Sequence, residues 1–396
     1  MRVLKDWLDN WLEYTSNTEP KKSFRLWVAI SVIASALRRK CSLPWGLMTI
    51  YPNLYTVLVG PSGCRKGTAM GPAVPFLERL EIKMSAEAIT REQLIRSLCQ
   101  SSDAFPIGET GRMILHSSLT IYSQELTVFL GYNNMQMMSD LCDWYDCKNN
   151  WTYSTKHEGK DAVVGVWVNL MGATTPDLLQ TTLPRDAIGG GLTARMILVF
   201  ERSKGKVVPL PLLSPEEIEL GEQLFTDLEQ ISMMAGEFRI TPAWLEAYPR
   251  WRRESEANPP FAFDTRFGGY VERRAMHVLK LSMICNASRT STMIMDLCDL
   301  QRAISILEDT ESRMPQAFSG VGRSRLGDVL THIWSFIAIQ KEVKLSELMN
   351  RFYHDVDKKE LMGILDTLKS MDVIQYGIVG TDAMIKYKGK KGGEYD

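Results

Sequence analysis

The sequence lacks several features that would place the protein in other classes. It contains no uncharged apolar run of the length that a membrane-spanning helix needs, about 18 residues, and its first segment, "MRVLKDWLDNWLEY", is an amphipathic pattern with acids rather than a signal peptide. Its seven cysteines include no C-x-x-C pair, which argues against structural zinc and favours packed thiols in a reducing compartment. We therefore expect a cytoplasmic protein with no membrane partner.

A large positive charge is also missing. The formal net charge is -1, so the overall field does not attract phosphates, and any contact with nucleic acid has to come from local loops or a groove. The 396 residues are 45% hydrophobic and 23% charged, which is typical of a globular chain with two or three domains.

Strand and helix patterns alternate over the first half of the chain, which predicts an α/β fold with a mostly parallel sheet and flanking helices. Four apolar segments predict the strands: Leu54–Gly60, Leu119–Gly131, Val164–Pro176 and Ala194–Glu201. Helical patterns then predominate, and the last segment has three helices and a hairpin in the order of a winged helix-turn-helix. The expected domains are an N-terminal helical region (1–46), an α/β core (47–210), a helical lid (211–320) and a C-terminal winged helix (321–396).

The loop "GPSGCRKGTAM" follows the first predicted strand and precedes a helix. It nearly matches the phosphate-binding pattern G-x-x-x-x-G-K-[ST], with Arg65 in place of the second glycine and Gly67 in place of the hydroxyl residue. In such a loop, backbone N–H groups surround a polyphosphate while the lysine contacts its terminal phosphates. The residues expected to contact ATP are Gly60, Pro61, Ser62, Gly63, Cys64, Arg65, Lys66, Gly67 and Thr68.

A carboxylate follows the second predicted strand in "LTIYSQEL". Glu125 is placed to polarise an attacking water, and with Thr68, the hydroxyl nearest to position 67, it is a candidate to hold Mg²⁺. Gln124 stands where an aspartate is usual. The third strand ends in "GATTP", where Thr174 or Thr175 can sense the terminal phosphate. The simpler reading of Glu125 is a solvated residue at a strand end.

An arginine precedes the fourth strand. Arg195, with Arg185 upstream, is poorly placed to serve its own nucleotide but can reach the phosphates of a neighbouring subunit in a ring, as an arginine finger does. A surface salt bridge is the alternative. In the lid, the cations Arg273, Arg274 and Lys280 are candidates to fold onto the nucleotide.

A hairpin signal lies between the second and third strands, where Glu158-Gly159 predicts a tight turn. Lys156, His157 and Lys160 surround this turn, and a basic hairpin of this kind can grip single-stranded DNA in a channel; plain solvent exposure is the alternative. The third C-terminal helix carries Lys358 and Lys359 among several acids, so docking to a protein or weak positioning of DNA is as open there as recognition of a specific DNA sequence.

The order of these motifs resembles a known family. "TEP…LWVAISVIASAL", "IYPNLYTVLVGPSGCRKGTA", "IYSQEL", "NLMGATTP" and "GGGLTARMILVFE" are similar to segments of P-loop ATPases that phages, satellites and mobile elements encode near replication genes. Those proteins are related to the helicase half of phage and poxvirus-like primase-helicases, in the AAA+ and superfamily 3 group. The likeness extends over nearly all of residues 1–320.

This resemblance implies a P-loop NTPase core, AAA+/RecA-like, that assembles into a hexameric ring and translocates on single-stranded DNA in a bacterial host cytoplasm. It implies that Lys66, Glu125, the sensor Thr174 and Arg195 supplied between subunits are catalytic, with ATP and Mg²⁺ as cofactors. No primase segment is found in the sequence, so a separate primase or polymerase is an expected partner.

Three functions remain open at this stage. The first is an ATP-dependent replicative helicase, the second is a helicase loader or replication-initiator switch, and the third is a winged-helix DNA-binding scaffold with a weak nucleotide site. The departures at Gly67 and Gln124 favour the second slightly, because both fall on magnesium-binding positions.

Overall fold

Two parts of the chain, Met1–Phe318 and Ser319–Asp396, form separate units in a computed structural model of the protein. The residues that the structure describes are 2–107, 111–155, 159–183, 190–261, 264–318, 325–353, 355–379 and 382–388.

The first unit contains helices and strands in alternation. Its helices are α1 (Trp7–Tyr14), α2 (Lys22–Leu37), α3 (Lys66–Met70), α4 (Ala73–Arg79), α5 (Arg91–Gln100), α6 (Leu126–Leu130), α7 (Met135–Tyr145), α8 (Pro176–Thr182), α9 (Pro215–Ser232), α10 (Pro242–Ala257), α11 (Gly268–Arg289) and α12 (Leu297–Glu311). Its strands are β1 (Cys41–Trp45), β2 (Met48–Ile50), β3 (Tyr55–Val59), β4 (Ser102–Ile107), β5 (Arg112–Ser123), β6 (Asn150–Thr155), β7 (Gly159–Val164), β8 (Val166–Thr174), β9 (Met196–Phe200), β10 (Gly236–Glu237), β11 (Arg239–Ile240) and β12 (Ile294–Met295).

A five-stranded sheet in the order β4-β5-β8-β3-β9 forms the centre of this unit. The four predicted strands are present and run parallel, while β4 is an additional antiparallel edge strand. Every residue of β3, β8 and β9 is buried, as the continuous apolar runs predict for parallel strands covered on both faces. The mixed α/β fold is confirmed, and its sheet with flanking helices is compatible with a Rossmann-like or P-loop-like core.

One predicted strand segment divides into two elements. Leu119–Gly131 is a strand only as far as Ser123, and its second apolar part forms the short helix α6. A run of four or five apolar residues fits a buried strand and a buried helix equally well, so its periodicity does not separate the two.

Helix α2 packs against one face of the sheet. Its residues from Trp27 to Leu37 are all buried, as its apolar sequence predicts. Asn169 of β8 joins this helix to the sheet: its side-chain N–H groups donate to the oxygens of Ser31 and Ser35, 3.0–3.2 Å away, and its side-chain oxygen accepts from Leu54 N–H at 2.9 Å. One buried amide therefore fixes α2 against β8 and the start of β3.

The second unit consists of α13 (Arg325–Gln340), β13 (Glu342–Lys344), α14 (Leu345–Phe352), α15 (Lys358–Ser370), β14 (Ile374–Val379) and β15 (Asp382–Tyr387). The three predicted helices and the hairpin are present, and β13 adds a third strand, giving the antiparallel order β13-β15-β14. The acids at the start of α15 have a structural role, because Asp357 and Glu360 form a capping box. Lys358 and Lys359 are exposed beside it.

None of the helices described in the structure combines the length and the apolar character that crossing a membrane requires.

We predict that Asn169→Leu lowers the free energy of unfolding by about 3 kcal/mol, because a side chain of similar size then leaves the buried Leu54 N–H and two serines without this partner. Chemical denaturation of the full chain measures the change, and Asn150→Leu at the exposed start of β6 is the control, with an expected change within about 0.5 kcal/mol. An unchanged unfolding midpoint for Asn169→Leu would show that the amide is not what fixes α2 to the sheet.

Candidate functional site

A cleft of 290 Å³ lies at the carboxyl ends of β3, β5 and β8. Three segments that the sequence places far apart line it together: the loop after β3, the residues after β5 and the end of β8. The lining residues are Ser62, Gly63, Arg65, Lys66, Gly67, Thr68, Gln124, Glu125, Thr174 and Thr175. The structure thus brings Lys66, Glu125 and Thr174 together, as candidates for one site.

The two glycines at the start of the loop are required for different reasons. A Cβ on Gly60 would lie 2.5 Å from the backbone oxygen of Glu201, so no larger residue fits without displacing backbone. Gly63 has a φ of +86°, in the region that favours glycine. Arg65 also has a positive φ, 65°, and occupies the left-handed conformation at a cost of roughly 1–2 kcal/mol. The position where the pattern expects a second glycine therefore keeps the backbone shape that glycine favours.

Lys66 is the first residue of α3, and its ammonium is folded back onto the loop. Nζ donates to the carbonyl oxygens of Gly60 at 2.6 Å and Pro61 at 3.0 Å. Burial lowers the pKa of Lys66 below its usual value, while the nearby Cys64 and Glu125 oppose that shift. Two carbonyl groups at the start of the loop thus hold the ammonium group of Lys66, and an anion can replace them as its hydrogen-bond acceptors.

The additional cation at Arg65 is held at the rim of the cleft. Its Nε lies 2.5 Å from Oε2 of Glu19, and Lys204 Nζ lies 2.7 Å from the other oxygen of the same carboxylate. Glu19 belongs to the "TEP" segment between α1 and α2, and no sequence pattern indicates this contact.

Gln124 and Glu125 follow β5 directly, and both are exposed to the cleft. Glu125 immediately precedes α6, with its carboxylate on the same cleft as Lys66. The side-chain oxygen of Gln124 lies 2.7 Å from the point that a Cβ on Gly67 would occupy. The two positions at which the sequence departs from the expected pattern are therefore in direct contact.

The two threonines at the end of β8 have different roles. Thr175 caps α8, because its hydroxyl oxygen accepts a hydrogen bond from Leu178 N–H at 3.3 Å. Thr174 is buried, and its backbone oxygen accepts from Gly60 N–H at 3.3 Å, which fixes the start of the loop against β8. The Thr174 hydroxyl donates to the backbone oxygen of Thr175 at 3.4 Å, whereas the Thr175 hydroxyl accepts and keeps its own proton, so both threonines remain candidates for contacting a bound group.

Arg195 lies at the amino ends of the strands, on the side of the sheet opposite to the cleft. Tyr55 at the start of β3 pairs with Met196 at the start of β9, so Arg195 precedes the amino end of its strand while the loop follows the carboxyl end of β3. Asp146 holds this arginine: its Oδ2 lies 2.6 Å from Arg195 NH2, and its Oδ1 lies 3.3 Å from Arg273 NH1. The structure does not bring Arg195 to the cleft of its own chain.

The lid cations lie away from the cleft as well. Arg274 is buried in an ion pair with Glu311 at 2.8 Å, and Lys280 Nζ donates to Asn53 Oδ1 at 2.6 Å. Burial lowers the pKa of Lys280 to about 8. Lys280 and Arg273 instead line a second cavity of 460 Å³ that also includes Asp146. Sequence patterns gave no signal for that cavity.

The predicted hairpin is present as the antiparallel pair β6-β7, with Thr155 opposite Gly159. Lys156 and His157 lie outside the described residues, and Lys160 is the second residue of β7. Arg185 also lies outside the described residues.

Gly60→Ala is expected to lower the free energy of unfolding by about 1–3 kcal/mol, because the new Cβ meets the backbone oxygen of Glu201. Gly71→Ala is the matched control: Gly71 has helical φ and ψ and room for a Cβ, so we expect a gain of about 0.5–1 kcal/mol. Denaturation of the two variants in parallel tests the packing of the loop. Equal stabilities for the two would contradict the close approach at Gly60.

No protein-family model fits this chain, and no curated protein is significantly similar to it. The site is therefore characterised by the side chains of the cleft and the strands that carry them.

Proposed function

We propose that the protein is an ATP-dependent DNA helicase or translocase that acts in replication of a phage or mobile element. The observation that carries the proposal is the convergence of Lys66, Glu125 and Thr174 on one cleft at the carboxyl ends of parallel strands. Ligands of open α/β sheets bind at this edge. On this proposal the core is a P-loop NTPase of the AAA+ and superfamily 3 group, the helices after β9 form its lid, and the second unit is a winged helix.

The cleft fits a polyphosphate and Mg²⁺. Its volume is close to the lower end of ordinary ligand sites, about 300 Å³, which suits the phosphate chain of ATP with base and sugar outside it. Thr68, Gln124 and Glu125 offer hydroxyl, carboxamide and carboxylate oxygens, which are ligands that Mg²⁺ takes. The ion, when bound, neutralises charge that builds up on the phosphates.

Each residue of the cleft then has a separate task. Backbone N–H groups of the loop bind the phosphates, and Lys66 moves its ammonium from the carbonyls of Gly60 and Pro61 to phosphate oxygens. The Glu125 carboxylate accepts a hydrogen bond from the attacking water and orients it. The Thr174 hydroxyl turns from the backbone oxygen of Thr175 and donates to the terminal phosphate.

A ring of subunits completes the site on this proposal. Arg195 lies at the amino ends of the strands, whereas the loop lies at their carboxyl ends. A head-to-tail neighbour can therefore bring its Arg195 to the phosphates, once the ion pair of Arg195 with Asp146 breaks. We propose a homohexamer whose β6-β7 hairpin, with Lys156, His157 and Lys160, grips single-stranded DNA in the channel. A separate primase or polymerase supplies priming.

A second candidate function is a helicase loader or initiator switch that binds ATP and hydrolyses it slowly. The observation that favours it is that Gly67 and Gln124, both on magnesium-binding positions, depart from the usual residues. Strand displacement on a forked substrate separates the helicase from the switch, and nucleotide binding separates both from a winged-helix scaffold.

Lys66→Ala is expected to reduce DNA-stimulated ATP turnover by about a hundredfold or more, because the site loses a charged donor aimed at the phosphates. Phosphate release measured with single-stranded DNA present gives the rate, and Lys206→Ala, an exposed lysine of the same unit, is the control with wild-type turnover. Unchanged turnover in Lys66→Ala would contradict the proposal that this cleft hydrolyses ATP.

Mixing two inactive variants tests whether the site is shared. If Lys66 and Arg195 act from adjacent subunits, an equal mixture of Lys66→Ala and Arg195→Ala recovers turnover at about a quarter of the subunit interfaces. These are the interfaces at which one subunit contributes an intact Lys66 and its neighbour an intact Arg195. The control mixes Lys66→Ala with the Lys66→Ala/Arg195→Ala double variant, which stays inactive. A mixture that exchanges subunits, as co-purification of a tagged copy shows, yet gains no turnover would contradict the shared site.

A further inference from the structure

The two departures from the phosphate-loop pattern touch each other, and this contact gives them a common explanation. Gly67 has no side chain where a serine or threonine is expected, and Gln124 has a longer side chain than the aspartate it replaces. The oxygen of Gln124 occupies the space that Gly67 leaves open, 2.7 Å from an added Cβ. The carboxamide carbon of Gln124 lies 3.6 Å from that point, so the oxygen is the closest atom of the side chain.

We infer that Gln124 and Gly67 are a matched pair, in which the carboxamide oxygen of Gln124 replaces the missing hydroxyl of the loop as a ligand for nucleotide-bound Mg²⁺. The inference rests on the proposed function, because it concerns the magnesium site of the same cleft.

The sheet order shows why the length of the side chain at position 124 matters. β8 lies between β3 and β5, so the residue after β5 has to reach across the end of β8 to meet the first turn of α3. Strands are about 4.8 Å apart, which makes this distance about 10 Å. The extra methylene of glutamine lengthens the reach, and the absence of a side chain at Gly67 removes what would block it.

Thr68 is the other candidate for the missing hydroxyl. It follows Gly67 in α3, and consecutive residues of a helix point about 100° apart around its axis. Its hydroxyl therefore leaves the helix in a different direction from the one that a residue at position 67 would take. Gln124 fills that direction directly, which is why the structure favours it over Thr68.

The charge balance of the cleft fits a neutral ligand. Among the lining residues that the structure describes, Glu125 is the one carboxylate, Lys66 is a cation, and Arg65 is a cation already paired with Glu19 outside the lining. With a carboxamide in place of a second carboxylate, the protein holds Mg²⁺ weakly by itself, and the phosphates of the nucleotide supply the missing negative charge. Mg²⁺ and ATP are therefore expected to bind together.

Restoring the expected hydroxyl at position 67 should then do harm. In Gly67→Ser the new Cβ meets the Gln124 oxygen at 2.7 Å, and because that oxygen is the far end of an exposed, flexible side chain, the glutamine moves and its oxygen leaves the metal position. Shortening the glutamine removes that conflict, and the serine can then act as the ligand. The two single variants should each weaken the site, whereas the pair should not add their losses.

The test measures binding of a fluorescent ATP analogue to the full chain, once with Mg²⁺ and once with EDTA, for wild type, Gln124→Ala, Gly67→Ser and Gly67→Ser/Gln124→Ala. Wild type is expected to bind more tightly with Mg²⁺. Gln124→Ala should lose about tenfold in affinity with Mg²⁺ and little in EDTA, since loss of one contributor to a metal site costs about 10–100-fold. Gly67→Ser should weaken binding with Mg²⁺ and change it little in EDTA, because the displaced glutamine oxygen acts only through the ion. The double variant should recover most of the increase in affinity that Mg²⁺ gives to wild type.

Gln136→Ala, an exposed glutamine of α7, is the matched control and should bind as wild type does. Failure of the inference and failure of the proposed function give different results. A Gln124→Ala variant that keeps the full Mg²⁺-dependent gain, or a Gly67→Ser variant with wild-type affinity, overturns the matched pair while leaving the ATP site intact. Wild type that binds no analogue in either condition overturns the ATP site itself.

Discussion

The position of β8 between β3 and β5 is the constraint on which the cleft depends. Because the three strands run parallel, their carboxyl ends meet at one edge, with Val59 opposite Thr174 and Ser123 opposite Gly172. This register places the loop after β3 and the carboxylate after β5 about 10 Å apart, on either side of the end of β8. On the proposed function, a phosphate group lies between them, with Lys66 on one side and Glu125 on the other.

The same parallel arrangement separates the cleft from the second group of charged residues. Arg195, Arg273 and Lys280 lie at the amino ends of the strands, where Asp146 pairs with both arginines and Asn53 binds the lysine. A five-residue strand such as β3 is about 16 Å long, so no side chain at one edge reaches the other. On the proposed function, one subunit binds ATP and its neighbour contributes Arg195 to the phosphates. The ion pair of Arg195 with Asp146 then has to break.

Sequence reasoning predicted the parts that depend on local pattern. The buried strands β3, β8 and β9 are continuous apolar runs, and the loop with its glycines is a short motif, so both could be recognised without tertiary information. The strand β4 was not predicted because "SDAFPI" is short, begins with two polar residues and contains Pro106, which is tolerated at the edge of a sheet. The contacts of Gln124 with Gly67, of Glu19 with Arg65 and of Asp146 with Arg195 could not be predicted, because each joins residues distant in sequence and leaves no periodic signal.

The most direct measurement of the central claim is an experimental structure of the protein with Mg²⁺ and a non-hydrolysable ATP analogue. The account predicts phosphate density against the loop from Gly60 to Lys66, with Lys66 Nζ on a phosphate oxygen instead of the carbonyls of Gly60 and Pro61. It also predicts Glu125 and Thr174 beside the terminal phosphate. A structure at saturating analogue in which the nucleotide lies elsewhere, and Lys66 still contacts those two carbonyls, would contradict it.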